Sequence, residues 1–183
     1  VKEFSKGKGP TYKYVEIEDI LENGKNVGED PFILILDGIE DPHNLGAILR
    51  TAEAVGLHGV VIRKARQVPV TETVLRVSTG AASLVPVARV PSIDEGIRFL
   101  QREGITVIGV EIEGRRLYSQ ADFCGATALV IGSEGRGLSS LVKKRCDEIV
   151  RIPMRGEINS LNASVAAGIV MYEVLRQRSA NDP

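Results

Sequence analysis

The chain has 183 residues, of which 43% are apolar, 26% charged and only 4% aromatic, with a formal net charge of −1. That length suits one domain of ordinary size with a core of its own, and the apolar fraction argues against a disordered chain. A mean hydropathy of +0.02, with charges scattered throughout, excludes a membrane protein, since no run approaches the roughly 18 apolar residues of a spanning helix. No cationic start followed by an apolar run marks a secretory signal. The two cysteines, Cys124 and Cys146, lack CxxC partners, and only two histidines are present. Both thiols therefore read as reduced cysteines of a cytoplasmic protein, and no metal site is expected. The charge is unevenly placed: residues 1–30 hold five Lys, seven acidic residues and no Arg, whereas all fifteen Arg fall between Arg50 and Arg178 beside three Lys. Arginine forks suit phosphate and base edges. By composition alone, RNA or phosphate binding and a simple surface preference for Arg stay equally open.

The first thirty residues read as a tail or linker. KGKGP at 6–10 and ENGKNVGEDP at 22–31 are turn material, with one short amphipathic element at 14–21 between them that must either dock or stay flexible. From Phe32 the pattern changes. Phe32 to Leu36 is a continuous apolar run ending at Asp37, the mark of a strand buried on both faces. Comparable runs follow at Gly59 to Ile62, Leu84 to Val90, Ile105 to Val110, Thr127 to Ile131 and Ile149 to Ile152. Between them lie helical stretches at Asn44 to Val55, Ser92 to Arg102, Leu138 to Arg145 and Leu161 to Arg178. Strands alternating with helices predict an α/β domain with a mostly parallel sheet flanked by helices. In such sheets ligands gather at the carboxyl ends of strands, which directs attention to the segments after Leu36, Val110, Ile131 and Ile152.

Three of those segments carry unusual residues. In Asp37-Gly38-Ile39-Glu40-Asp41-Pro42-His43-Asn44, followed by Leu45 to Arg50, Asn44 is placed to cap a helix. Arg50, six residues on, projects elsewhere from the second turn. His43 is either a loop hydrogen-bonding residue or a base. The segment Gly132-Ser133-Glu134-Gly135-Arg136-Gly137 has three glycines in six residues between a strand and a helix, so its backbone can approach a ligand closely. It matches neither G-x-G-x-x-G nor the P-loop pattern, which disfavours a dinucleotide dehydrogenase or an NTPase. In Ile152-Pro153-Met154, followed by Asn159-Ser160-Leu161-Asn162-Ala163-Ser164, two Asn and two Ser exceed what one cap requires, with Ser160 or Asn159 as the expected cap.

Taken together, these segments resemble the SpoU (TrmH) family of RNA 2′-O-ribose methyltransferases of the SPOUT superfamily. The resemblance covers Phe32 to Arg178 and rests on Asn44-x-Gly46-x-x-x-Arg50, Ile131-Gly132-Ser133-Glu134-Gly135-x-Gly137, Ile152-Pro153-Met154 and Ser160-Leu161-Asn162-x-Ser164. Val77-Ser78-Thr79-Gly80-Ala81 matches a further family segment. It implies a C-terminal deep trefoil knot, which ordinary topology rules would exclude. It also implies S-adenosyl-L-methionine as cofactor, an RNA substrate and a homodimer. By the same resemblance Gly132, Ile152 and Leu161 hold the cofactor, with Val110, Ile131 and Met154 beside them. Arg50 is then the central catalytic residue, and Asn44, Glu134, Ser160 and Asn162 orient it or the substrate.

Within the family, the guanosine-modifying large-subunit rRNA enzymes of the RlmB type are the nearest match. On that basis residues 1–30 are expected to be a linker following an N-terminal RNA-binding domain, and residues 31–183 the catalytic domain. A tRNA guanosine 2′-O-methyltransferase keeps the same motifs. A non-catalytic RNA-binding protein on the same fold is the alternative from another class.

Overall fold

The computed structural model describes residues 12–180; the KGKGP segment lies outside the described residues. The elements run α1 Ile17–Val27, β1 Phe32–Asp37, α2 Pro42–Ala54, β2 Gly59–Arg63, α3 Glu72–Val77, β3 Val87–Val90 and α4 Ile93–Arg102. They continue with β4 Thr106–Val110, β5 Arg116–Leu117, β6 Thr127–Gly132, α5 Ser140–Arg145, β7 Glu148–Arg151 and α6 Ala163–Ala180. The seven strands form one parallel sheet in the order β3-β2-β1-β6-β4-β7-β5. Alternation along β1 splits the core in two. Phe32, Leu34 and Leu36 face a layer made with α2, α3 and α6, while Ile33 and Ile35 face α1, α4 and α5. The continuous apolar run of β1 is thereby explained, because both of its faces are covered. Among the described residues no helix is long and apolar enough to cross a membrane.

Several expected boundaries shift for identifiable reasons. The segment read as turn material at 22–31 is helical up to Val27, with Gly28 closing α1 at φ +73°. Ile17, Ile20 and Leu21 are buried, so this segment docks on the sheet and is not a free tail. Ile20 lies where a Cβ on Gly59 would meet it at 2.6 Å, so the glycine that opens β2 makes room for α1. The expected strand from Leu84 begins only at Val87. Ala81–Ser83 form a 3-10 turn, held where the Ala82 N–H donates to the buried Ser78 hydroxyl at 3.2 Å, and Leu84 points outward with 70% exposure. Asn44 does not cap α2. Asp41 does, accepting from the His43 N–H at 2.8 Å, and Pro42 takes the first helical position, where a missing N–H costs nothing. Likewise Asn162, not Ser160 or Asn159, caps α6, accepting from the Ser164 N–H at 2.9 Å. In each case the side chain nearest the first free amides takes the capping role, and the neighbours read as caps are left for other contacts.

Candidate functional site

The loops following β4, β6 and β7 meet at the carboxyl edge of the sheet and enclose a cleft of about 280 Å³. The neighbouring strands dictate the shape of the middle loop. Gly137, at φ +63°, donates its N–H to the Ser133 carbonyl at 2.9 Å, and the turn closes on itself. A Cβ on Gly132 would collide with the Gly137 backbone, and one on Gly137 would collide with the Glu111 carboxylate. Gly132 is therefore required by packing within its own loop, and Gly137 by its left-handed backbone, apart from any ligand.

Two carboxylates at strand ends hold the exit of this loop. Asp37, the last residue of β1, accepts from the Ser139 N–H at 2.9 Å with one oxygen and from Arg63 Nη2 at 3.0 Å with the other. Glu111, immediately after β4, accepts from the Leu138 N–H and lies 3.5 Å from Lys143 Nζ. For Lys143, desolvation works to lower the ammonium pKa, but the hydrogen bond to Glu113 and the charges of Glu111 and Glu113 outweigh it, and the net shift is upward. Sequence reasoning missed Asp37, Glu111 and Lys143 as site-forming residues. The available signal was an acidic residue directly after an apolar strand, seen at both Leu36-Asp37 and Val110-Glu111.

All six residues expected at a cofactor, Val110, Ile131, Gly132, Ile152, Met154 and Leu161, line this one cleft, although they come from three separate parts of the chain. Glu134 and Ser160 line it as well. Asn162 joins the group by hydrogen bonds. Its amide nitrogen donates to Asn44 Oδ1 at 2.9 Å and to Glu134 Oε2 at 3.4 Å, while its carbonyl oxygen caps α6. Asn44 on α2, Glu134 of the glycine loop and Asn162 at the start of α6 thus form one connected polar group, of which Glu134 lines the cleft. Arg50 stands apart. It is exposed on α2, is not part of the cleft lining, and makes no hydrogen bond or ion pair with the described residues. His43 is also exposed, and only its backbone is engaged.

Cys146 packs against the back of this region, where burial pushes its thiol up to about 12; as a neutral thiol it is a poor nucleophile. Neither cysteine forms a disulfide.

A parallel α/β sheet with a ligand-sized cleft at its carboxyl edge, lined by a glycine loop that carries Glu134, is the usual place for a small-molecule site in this class of fold. Comparison with known proteins makes this specific. Residues 31–172 match the SpoU rRNA Methylase family, and the chain belongs to that family. It is 49% identical over 168 residues to YacO of Bacillus subtilis (strain 168), a proposed TrmH family tRNA/rRNA methyltransferase, covering 92% of this chain and 68% of that protein. The SpoU methyltransferase AviRb of Streptomyces viridochromogenes, solved in complex with AdoMet, superposes with a TM-score of 0.82 at 32% identity, covering 91% of this chain. An AdoMet-bound rRNA methyltransferase from Sinorhizobium meliloti gives 0.80 at 28% identity over 90% of this chain. The chain spans 63% and 61% of the lengths of those two structures.

Proposed function

We propose that this protein transfers a methyl group from S-adenosyl-L-methionine to a ribose 2′-hydroxyl of RNA, at a guanosine of large-subunit rRNA. The observation that carries this reading is the convergence of Val110, Ile131, Gly132, Ile152, Met154 and Leu161 on a single cleft, in a chain whose solved relatives bind AdoMet. The lining suits that cofactor. Val110, Ile131, Ile152, Met154 and Leu161 offer apolar walls for a purine, while Glu111, Glu113 and Glu134 supply negative charge for a sulfonium and an ammonium. When bound, S-adenosyl-L-methionine supplies a methyl group already activated by its sulfonium, so the protein's tasks are alignment and control of the hydroxyl proton.

Asn162 holds Asn44 and Glu134 in one arrangement, and Ser160 lies beside them to orient the ribose. Arg50 has no polar partner among the described residues and is available to grip a phosphate and stabilise the oxygen as it loses its proton. A guanidinium holds its proton too tightly to act as the base. The trefoil knot and the homodimer belong to the same proposal. Supporting the first, β7 lies beyond β4 while α6 returns to pack on α2 and β6. Supporting the second, Val165 and Tyr172 of α6, seven residues apart on one face, are 49% and 52% exposed.

The test is transfer of labelled methyl to unmodified rRNA and tRNA transcripts, with mapping of the modified ribose. Modification of an rRNA guanosine is expected, a tRNA product would reassign the substrate, and cofactor binding with no transfer to any RNA would overturn the enzymatic reading.

A further inference from the structure

We propose that the turn between β2 and α3 is an RNA-backbone contact, with Arg66 binding a phosphate near the ribose presented to the cleft. This rests on the methyltransferase reading and extends it to a segment that none of the family motifs includes. Arg66 sits at φ +56°, one of only two non-glycine residues in the left-handed region among the described residues. A side chain there is strained, and a turn that needed only the backbone shape would be better served by Gly or Asn. Strain of this kind persists where surrounding contacts enforce it, and they do so here.

The Gln67 side-chain oxygen accepts from the Gly38 N–H at 3.4 Å and from the Arg63 N–H at 3.3 Å. The Val68 N–H donates to the Ile39 carbonyl at 3.0 Å, the Lys64 N–H to the Val90 carbonyl at 2.9 Å, and Arg89 to the Lys64 carbonyl at 2.7 Å. The backbone is fastened on both sides, yet Lys64 and Arg66 project into solvent with no carboxylate partner among the described residues.

Position and chemistry both favour a nucleic-acid backbone. Asp37 pairs in register with Gly132 on β6 and binds Arg63 at the end of β2, so Arg63, Asp37 and Gly132 lie in one row across the sheet. Two strand spacings of about 4.8 Å put Arg63, where the turn leaves the sheet, about 10 Å from Gly132, where the glycine loop begins. Stacked nucleotides rise about 3.4 Å each, so this is the reach of a phosphate within about three nucleotides of the ribose. In addition, Arg63 Nε and Gln67 Nε2 are the two buried side-chain donors that lack an acceptor among the described residues. Both belong to the side chains that anchor the turn, so the anchor is incompletely satisfied in the RNA-free chain.

The test measures binding of a labelled single-stranded RNA dodecamer, and methylation of an unmodified large-subunit rRNA transcript, by the full 183-residue chain and by Arg66→Ala, Arg66→Gly and Arg66→Lys. Alanine and glycine variants should lose about five- to tenfold in RNA affinity and reduce the salt-dependence slope by about 0.7, the share of one phosphate contact on a single strand. Lysine should retain most of the affinity, and S-adenosyl-L-methionine affinity should be unchanged in all three. Arg66→Gly relieves the backbone strain, so a glycine variant that recovers RNA binding lost by the alanine variant would make the role structural and overturn the proposal. Unchanged affinity and salt slope in both, in a chain that methylates RNA, would also overturn it while leaving the proposed function standing. A wild-type chain that neither binds nor methylates these RNAs would overturn both.

Discussion

Asp37, the last residue of β1, and Glu111, the first after β4, stand at the ends of the two strands that flank β6 and grip consecutive backbone amides, Ser139 and Leu138, directly after the glycine loop. The loop that lines the cleft is thus held from both sides by charge-assisted hydrogen bonds, which are stronger than neutral ones. It is set by the ends of the sheet and not by its own residues alone.

Replacing Asp37 by Ala leaves Arg63 and the Ser139 amide without their shared acceptor. Removing one partner of a largely buried pair should cost about 3 kcal/mol, read as a lower urea midpoint. Glu111→Ala should be milder for stability, about 1–2 kcal/mol, because Lys143 keeps Glu113 at 3.3 Å. Both should weaken S-adenosyl-L-methionine binding by about tenfold or more as the loop loses its fixed position, measured by calorimetry.

Asn162 divides its amide between two tasks, with the oxygen capping α6 and the nitrogen bridging Asn44 and Glu134. The tasks can be separated. Asn162→Ala should lose the cap, about 1 kcal/mol, along with methyl transfer. Asn162→Asp keeps a capping oxygen but has no hydrogens for Asn44 and Glu134. It should keep the cap and lose about 1 kcal/mol, the cost of the missing bridge and of a carboxylate facing Glu134, while losing transfer to a similar degree. An active Asp variant would remove the bridge from the mechanism.

His58 supplies a pH dependence. Its Nδ1 accepts from the Phe32 N–H at 2.9 Å and its Nε2 faces Glu29 at 3.4 Å. Burial lowers its pKa, opposed by the charge of Glu29 and reinforced by that of Arg178. In the unfolded chain the imidazole takes a proton near about 6.5, whereas in the folded chain it does so only at lower pH. Its contribution to stability is therefore complete above the unfolded value and declines as pH falls through it towards the folded one. The urea midpoint should drop between pH 7.5 and 5.5, and His58→Gln, which can still accept from Phe32, should drop less. Equal losses would assign the effect to other groups.

The sheet and its order of strands and helices were legible in the sequence because a parallel strand buried on both faces leaves an unbroken apolar run, as at Phe32 to Leu36. The cofactor side of the site was legible through motif spacing. What was not legible depended on neighbours distant in the chain. Asp41 displaced Asn44 as the cap because Asn162, 118 residues away in sequence, takes the Asn44 side chain. Gly24 reads as a turn signal, yet it lies inside α1, where a Cβ would make only ordinary contact with the His58 ring at 3.6 Å. Gly59 is the glycine of close approach, since a Cβ there would meet Ile20 of α1 at 2.6 Å, and a glycine chosen for close approach looks identical in sequence to one chosen for a turn.

That close approach makes α1 part of the fold. Ile20 is fully buried against Gly59, and Ile20→Ala should cost about 2–5 kcal/mol, as for other large-to-small core changes. The measurement is chemical denaturation followed by circular dichroism. A cost near zero would mean that the segment behaves as a linker despite its packing.

Arg50 offers the sharpest separation of stability from activity. It is exposed and makes no polar contact with the described residues, so Arg50→Ala should shift stability by no more than about 0.5 kcal/mol. If Arg50 grips phosphate and stabilises the developing alkoxide, the same change should reduce methyl transfer by about a hundredfold or more without altering S-adenosyl-L-methionine binding, because Arg50 does not line the cleft. Arg50→Lys keeps the charge but loses the planar two-donor fork. A bidentate grip predicts that Lys restores little of the lost rate, whereas a purely electrostatic role predicts that it restores most of it. Single-turnover transfer rates for the three proteins, with cofactor affinity measured in parallel, decide between these. An alanine variant with wild-type transfer would remove Arg50 from the chemistry altogether.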